Sequence, residues 1–403
     1  MSVNGQFLWY LWRRLMKMNK NVFRTETKEE KPVLAICYDF DKTLSPDDMQ
    51  AQGFIQSVGY DIDKFWEESN RLAQDNDMDQ NLAYMYKMSQ KSHGKFFVTK
   101  EKLMEYGAKV QLYKGVEEWF ERIRGYGYNK GVLVEHYIIS SGLKEMILGT
   151  KMAKSGAFKK IYASSFCYDD VAFWPAQVIN YTNKTQFLFR IEKGVLDIND
   201  DSVNDFFPPE KMRVPFRNIV YIGDSATDIP CMKLVNSNGG HSIGVYNPEK
   251  NDKARVYNMF DENRIKYYVP ADYSEDGELD ILIKTIIDKT SEYEKLEEIY
   301  NTYKKEAYEH RLSQDEIVKD QLVISLVNSR SFASTHSIIE KMSSVDNWNE
   351  YQLEQIIYAA VTNGQIKSII NDTDVRVFFQ RLINKYQIDD KNKLELKKIL
   401  SEN

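Results

Sequence analysis

The stretch that decides how this chain folds is Val33-Leu-Ala-Ile-Cys-Tyr-Asp39-Phe-Asp41-Lys-Thr43-Leu-Ser45. Its first six residues form an unbroken apolar run between Pro32 and Asp39, short and partly β-branched, which favours a strand over a helix. An apolar run without alternation fits a strand covered on both faces, as in a parallel sheet. Working outward, comparable runs lie at 132–140, 160–163, 218–222 and 242–246, and a last one at 266–269. Helix-compatible segments such as 143–154 and 227–235 follow several of them. Strands alternating with helices imply βαβ units and a three-layer α/β domain with a Rossmann-like parallel sheet.

Between the first two strands lies an insertion too large for a loop. Residues 47–112 show helical patterns at 54–58, 63–74, 81–91 and 100–110, and are expected to form a helical cap. The core is then 32–46 with 113–290, preceded by a solvated lead-in over 1–31. From 291 to 403 the pattern is helical throughout, with breaks at Asn347, Asn363-Gly364 and Asp372, and an all-α C-terminal domain is expected. Its apolar clusters, such as Leu353, Ile356, Ile357 and Ala360, either bury against one another or meet a partner or a second copy.

Composition narrows the function. With 403 residues, 42% hydrophobic and 28% charged, the chain can bury a sizeable core and divides into two or three domains. A net charge of −6 gives no global basic field, so no nucleic-acid partner is expected. Three scattered cysteines without a CxxC spacing suit a reducing compartment, and a cytoplasmic location is expected. No apolar stretch is long enough for a membrane span. In the opening segment 7–17 the positive charges follow the apolar run, unlike a signal peptide. It reads as leader residues upstream of a start at Met18, or as an amphipathic surface helix.

The chemistry sits at strand ends. Asp39 and Asp41 directly follow the first strand, where open α/β sheets place their ligand sites. The second strand ends in Ile138-Ile-Ser140-Ser141-Gly142, a hydroxyl and free N–H groups at an expected helix start, suited to an anion. Asn183-Lys184-Thr185 opens another helix and can turn a lysine back toward the sheet edge. The strand 218–222 runs into Gly223-Asp224-Ser-Ala-Thr-Asp228, two carboxylates on one loop, the raw material of a Mg²⁺ site.

In this order the four motifs resemble those of the haloacid dehalogenase-like (HAD) superfamily, most closely its phosphoserine-phosphatase-like branch with a helical cap, over residues 32–290. The resemblance implies a Mg²⁺-dependent phosphatase in which Asp39 is the nucleophile and Asp41 the general acid and base. It implies Mg²⁺ held by the Asp39 carboxylate, the Asp41 backbone carbonyl and Asp224, with Asp228 as a further carboxylate of the metal site. Ser140 and Lys184 would bind the phosphoryl group, with Thr43, Ser141 and Gly142 around it. Lys184 would be held by Asp228 or Asp224. Ser141 is an alternative to Ser140, and Lys193 a weaker alternative to Lys184.

Dehalogenation is disfavoured because haloacid dehalogenases lack the second aspartate. P-type ATPases share Asp-Lys-Thr, yet they need membrane helices and Leu44 breaks the match. A phosphotransferase or phosphomutase uses the same aspartate pair and stays open, as does a regulatory protein whose tail recruits a partner. The expected substrate is a small phosphorylated metabolite, and its specificity is expected in the cap. Pro46-Asp47-Asp48-Met49 and the stretch Tyr84–Phe97 are expected to line it, with Lys91, Arg71, Lys87, His93 and Lys95 as candidates, joined by Phe173 and Trp174 on an expected strand pair over 163–181.

Overall fold

The computed structural model describes residues 25–95, 98–168, 173–311, 314–386 and 391–401. The opening segment 7–17 and the start at Met18 lie outside these residues. Among the described residues one sheet is formed by β1 (Val33–Tyr38), β2 (Leu133–Leu143), β3 (Lys160–Tyr168), β4 (Phe173–Gln177), β5 (Ile219–Gly223), β6 (His241–Tyr246) and β7 (Tyr267–Pro270). Their order is β4-β3-β2-β1-β5-β6-β7, with only β4 antiparallel to its neighbour.

All six residues of β1 are buried, as its unbroken apolar sequence requires. Leu34, Ile36 and Tyr38 enter one layer of the core, while Val33, Ala35 and Cys37 enter the other, the two-residue alternation of a strand. Polar groups caught in the first layer are satisfied. Tyr38 Oη lies 3.0 Å from His136 Nδ1 and accepts from Trp119 Nε1 at 2.8 Å. Burial pushes His136 down to about 3, so the ring is neutral there.

Around the sheet lie α1 (Ile62–Asp75), α2 (Gln80–Ser92), α3 (Lys100–Gly107), α4 (Val116–Asn129), α5 (Lys144–Gly149), α6 (Thr185–Lys193), α7 (Ile229–Ser237), α8 (Ala254–Asp261) and α9 (Glu278–Arg311). The first three belong to the insertion. Asp61, Asp79 and Thr99 cap them, each side chain accepting from a backbone N–H of the first turn. Helix α3 packs backbone to backbone on α5, because glycines stand at both crossings. A Cβ on Gly107 would strike the Met146 carbonyl, and one on Gly149 would strike the Met104 carbonyl.

Three expectations change. The second strand does not stop at Ser140 but runs to Leu143, with its pairing to β3 interrupted between Ser140 and Leu143. The helix expected near 279–287 and the one expected from 293 are a single helix, α9, since no glycine or proline interrupts 278–311. The lead-in is not wholly solvated: Glu26 N donates to Gly194 O at 2.9 Å, and its carboxylate pairs with Lys159 at 2.9 Å and Arg213 at 3.1 Å.

The chain packs as two compact units divided after Lys295, inside α9. The second contains α10 (Gln314–Val327), α11 (Phe332–Ser343), α12 (Glu350–Thr362), α13 (Gly364–Ile369), α14 (Thr373–Lys385) and α15 (Lys391–Ser401). These bury Leu326, Ile339, Ile356, Ile357 and Phe379 in one cluster of their own, while Ile324 stays exposed. Asn363 breaks α12 from α13 by accepting from the N–H groups of Gln365 and Ile366. Among the described residues no helix is long and apolar enough to cross a membrane.

Candidate active site

β1 and β5 end side by side, Tyr38 opposite Ile222, so the acidic residues that follow them converge. The Asp39 N–H donates to the Ile222 carbonyl at 2.9 Å. The loop beyond folds back tightly: Phe40 O accepts from the N–H groups of Thr43 (3.2 Å), Leu44 (2.8 Å) and Ser45 (3.2 Å). Lys42 takes up a left-handed φ of 58° to permit this. Tyr273 Oη, from beyond β7, donates to Thr43 O at 2.9 Å and pins the loop from behind.

Lys184 reaches the same place from the turn Tyr181–Lys184, which Asn180 and Asn183 close by reciprocal capping before α6 begins. Its Nζ lies 2.8 Å from Asp228 Oδ1 and 3.2 Å from Asp39 Oδ1, and its side chain is fully buried. Burial alone would lower its pKa, but the Asp228 and Asp39 charges overcome that and hold it above the ordinary lysine value. Asp228 is occupied on both oxygens. Oδ1 also accepts from Tyr221 Oη at 2.8 Å, and Oδ2 accepts from Ser225 N at 3.3 Å and Oγ at 3.1 Å. Of the two holders weighed for Lys184, the structure selects Asp228. The alternative lysine, Lys193, faces away and donates to the carbonyls of Val203 and Asp205.

The remaining carboxylates are short of positive charge. Burial, reinforced by Asp228, pushes Asp39 up to about 6. Burial, with Asp48 and Asp39 nearby, holds Asp41 well above the carboxylate range, although its Oδ1 accepts from Met49 N at 2.8 Å. Asp224 is raised by burial and by Asp228 and Asp39, with Arg255 Nη1 only within 3.6 Å. Asp39, Asp224 and Asp228 each bring a carboxylate oxygen within 4.8 Å of the others. Asp39 Oδ1 is buried without a well-aligned hydrogen bond. An oxygen-only donor set with excess negative charge fits a hard divalent cation such as Mg²⁺.

A cavity of about 290 Å³ opens on Asp39, Asp41, Asp224, Ser140, Ser141 and Gly142. Ser140 and Gly142 lie in β2 and not at a helix start; Gly142 N donates to Ser140 Oγ at 3.0 Å. Ser141 Oγ is buried without a partner, as is Thr43 Oγ1, which lies behind the cavity wall. Both serines remain available to an anion.

The residues expected for specificity fare differently. Met49 is fully buried, its Sδ accepting from Leu143 N at 3.3 Å, so it supports the wall without lining it. Lys91 pairs with Glu68 at 3.2 Å and lies 4.0 Å above the Tyr60 ring, outside the cavity. Lys87 joins the same Glu68 at 3.3 Å. Arg71, His93 and Lys95 are not in the lining either. Trp174 is 69% exposed on β4 and faces solvent, while Phe173 opens β4 with its backbone paired to Tyr168. From the cap the cavity is lined by Asp48 and Tyr84, which fall in the stretches expected there, and by Gln50, Trp66, Gln80 and Asn81, which do not. No motif marks Gln50, Trp66, Gln80 or Asn81 in the sequence; Trp66 comes from α1, Gln80 and Asn81 from α2, and Gln50 from the turn Met49–Gln52 before them.

Residues 36–233 match the family model described as haloacid dehalogenase-like hydrolase. An uncharacterized protein of Borreliella burgdorferi is 27% identical over 289 residues, 62% of this chain and 95% of its own length. Among solved structures, a HAD family hydrolase from Salmonella enterica serovar Typhi is similar with a TM-score of 0.41 and 16% identity, over 64% of this chain and 74% of its own. A probable phosphoserine phosphatase from Vibrio cholerae has a TM-score of 0.41 and 12% identity, over 66% of this chain and 67% of its own.

Proposed function

We propose that this protein is a phosphatase that hydrolyses a small phosphomonoester through an aspartyl-phosphate on Asp39. The observation that carries the reading is the placement of Asp39, with Lys184 at 3.2 Å and a second carboxyl, Asp41, two residues on at the same cavity. Asp39 attacks phosphorus, and the bond to the leaving oxygen breaks as Asp41 donates its proton to that oxygen. Asp41, now ionised, takes a proton from a water as that water attacks phosphorus, and the bond to Asp39 breaks to release phosphate. Lys184 balances phosphoryl charge throughout, with Ser140 and Ser141 as hydroxyl donors.

Asp39, Asp224 and the Asp41 carbonyl would hold Mg²⁺, which lets an anionic nucleophile approach an anionic phosphate and neutralises charge as it develops. Asp228, engaged by Lys184, Tyr221 and Ser225, acts as a positioning residue for the lysine. The test is phosphate release from a panel of phosphorylated metabolites and an aryl phosphate, with Mg²⁺ and with chelator. Release that needs the metal and disappears in Asp39→Asn supports the reading. No release from any ester by folded, Mg²⁺-supplied protein sinks it.

A further inference from the structure

The cavity has two walls of opposite character. The sheet edge carries the carboxylates and hydroxyls, whereas Gln50, Trp66, Gln80, Asn81 and Tyr84 opposite supply rings and carboxamides, and the charged cap residue of the lining, Asp48, is paired with Lys42. The charged side chains at the mouth already have partners: Lys42 Nζ lies 2.9 Å from both Asp48 oxygens, and Arg255 lies nearest Asp224. The cap lysines Lys87 and Lys91 are turned outward onto Glu68.

The wall is also built to hold its shape. The Trp66 indole meets the Tyr84 ring edge-on at 5.7 Å and the Phe65 ring at 5.4 Å. Tyr84 Oη donates to Ser141 O at 2.9 Å, tying the cap wall to the strand that carries the hydroxyls. Asn81 spends its Nδ2 on Ile179 O at 2.8 Å, which leaves its amide oxygen to accept. An ammonium or carboxylate entering here would shed water and gain no opposite charge. A flat or puckered ring with hydroxyl or amide edges would gain both contact with the indole and hydrogen bonds to the carboxamides.

Resting on the phosphatase reading, the geometry points to a phosphorylated, uncharged ring as substrate, a sugar phosphate or a nucleoside monophosphate, selected by Trp66. Phosphorylated amino acids and amino alcohols are poorly served by this wall. The volume agrees, since about 290 Å³ holds one ring system beside a phosphate and not a phosphoprotein loop.

The experiment measures kcat/KM of the full chain with Mg²⁺ on ribose phosphate, uridine monophosphate, phosphoserine and phosphoethanolamine. One of the two ring esters should exceed both charged ones by about tenfold or more, and which of them leads separates sugar from nucleoside. Trp66→Leu should raise KM for the preferred ring ester by roughly fivefold or more, with KM for acyclic glycerol phosphate changed less than about twofold. Trp66→Phe should recover most of the loss. Preference for phosphoserine or phosphoethanolamine, or an equal KM change for ring and acyclic esters, overturns the inference and leaves the phosphatase reading standing. Calorimetric binding to Asp39→Asn separates the two in the other direction. A ring phosphate that binds there, and is hydrolysed by no form of the protein, overturns the phosphatase reading and keeps the ring pocket.

Discussion

Lys184 and Asp228 meet at 2.8 Å with neither side chain reaching solvent. Such a pair is worth little against an apolar replacement of both members, yet breaking it strands a charge in the core. Lys184→Met should therefore lower the unfolding free energy by about 3–5 kcal/mol as well as remove turnover. Urea denaturation of the two proteins at the same Mg²⁺ concentration measures it, and an unchanged midpoint would show that Asp228 is satisfied without the lysine.

The two carboxyls after β1 should separate kinetically. Asp41→Asn keeps the backbone carbonyl and cannot donate or take up the proton, so turnover of an alkyl phosphate should fall by roughly 10²–10⁴-fold. An aryl phosphate, whose leaving group needs no proton, should recover the first step and leave hydrolysis of the intermediate slow. Rapid-quench measurement of the phosphorylated protein checks this, and equal slowing of alkyl and aryl phosphorylation counts against Asp41 as the acid.

Crowded carboxylates make the fold sensitive to a divalent ion. Mg²⁺ at a hundred times its dissociation constant should stabilise the protein by about 2.7 kcal/mol, seen as a rise in Tm, and chelator should reverse it. In Asp224→Asn the rise should vanish while the metal-free Tm increases, because one of the mutually repelling groups is gone. A full Mg²⁺ response in that variant would place the ion elsewhere.

Gly142 tests the positioning of Asp41. A Cβ there would press on Met49 Cε and stand 2.8 Å from Asp41 Oδ2. The thioether tip can yield, but the carboxyl must shift with it. Gly142→Ala should keep its cooperative melt and lose about 10–100-fold in kcat, with KM little changed. Wild-type kcat would mean that the Asp41 side chain has room to spare.

In the second unit His336 stands between two carboxylates, Nδ1 2.7 Å from Asp374 and Nε2 3.1 Å from Asp372. Both ring nitrogens face acceptors, so the imidazolium is favoured and the pKa is raised, chiefly by the Asp374 hydrogen bond. A raised folded pKa means the contribution is complete below about pH 6.5 and is lost as pH rises through the folded value. Amide protection factors in α11 and α14, taken against the intrinsic exchange rate at each pH, should be higher at about pH 6 than at pH 8, and His336→Gln should flatten the difference. An equal pH response in the variant would assign it to another group.

Much of this was legible in the linear sequence, for a physical reason. The buried strands declare themselves as unbroken apolar runs, and Asp39, Asp41 and Asp224 are local to strand ends, so their convergence follows once the sheet is parallel. Lys184 was findable because it opens a helix beside that edge. What could not be read is set by contacts distant in sequence. Lys91 and Trp174 have the chemistry of ligand-binding residues, yet Glu68 claims the first and the outer face of β4 exposes the second. Trp66 and Asn81 belong to no motif and reach the cavity only through the angle between α1 and α2. Ser140–Gly142 looked like a helix cap because serine and glycine are common there, whereas pairing with β3 carries the strand on to Leu143.

Gly107 and Gly149 let one part of the insertion rest backbone to backbone on the core. With carbonyls pressed against both α-carbons, α3 has no slack against α5 and travels with the sheet. The helices α1 and α2, which carry Trp66, Asn81 and Tyr84, are tied across the cavity by side-chain bonds instead, Tyr84 Oη to Ser141 O and Asn81 Nδ2 to Ile179 O. One side of the cap is thus seated by backbone contact and the other by a few hydrogen bonds, and a side chain at either glycine would part α3 from α5 while leaving those bonds in place.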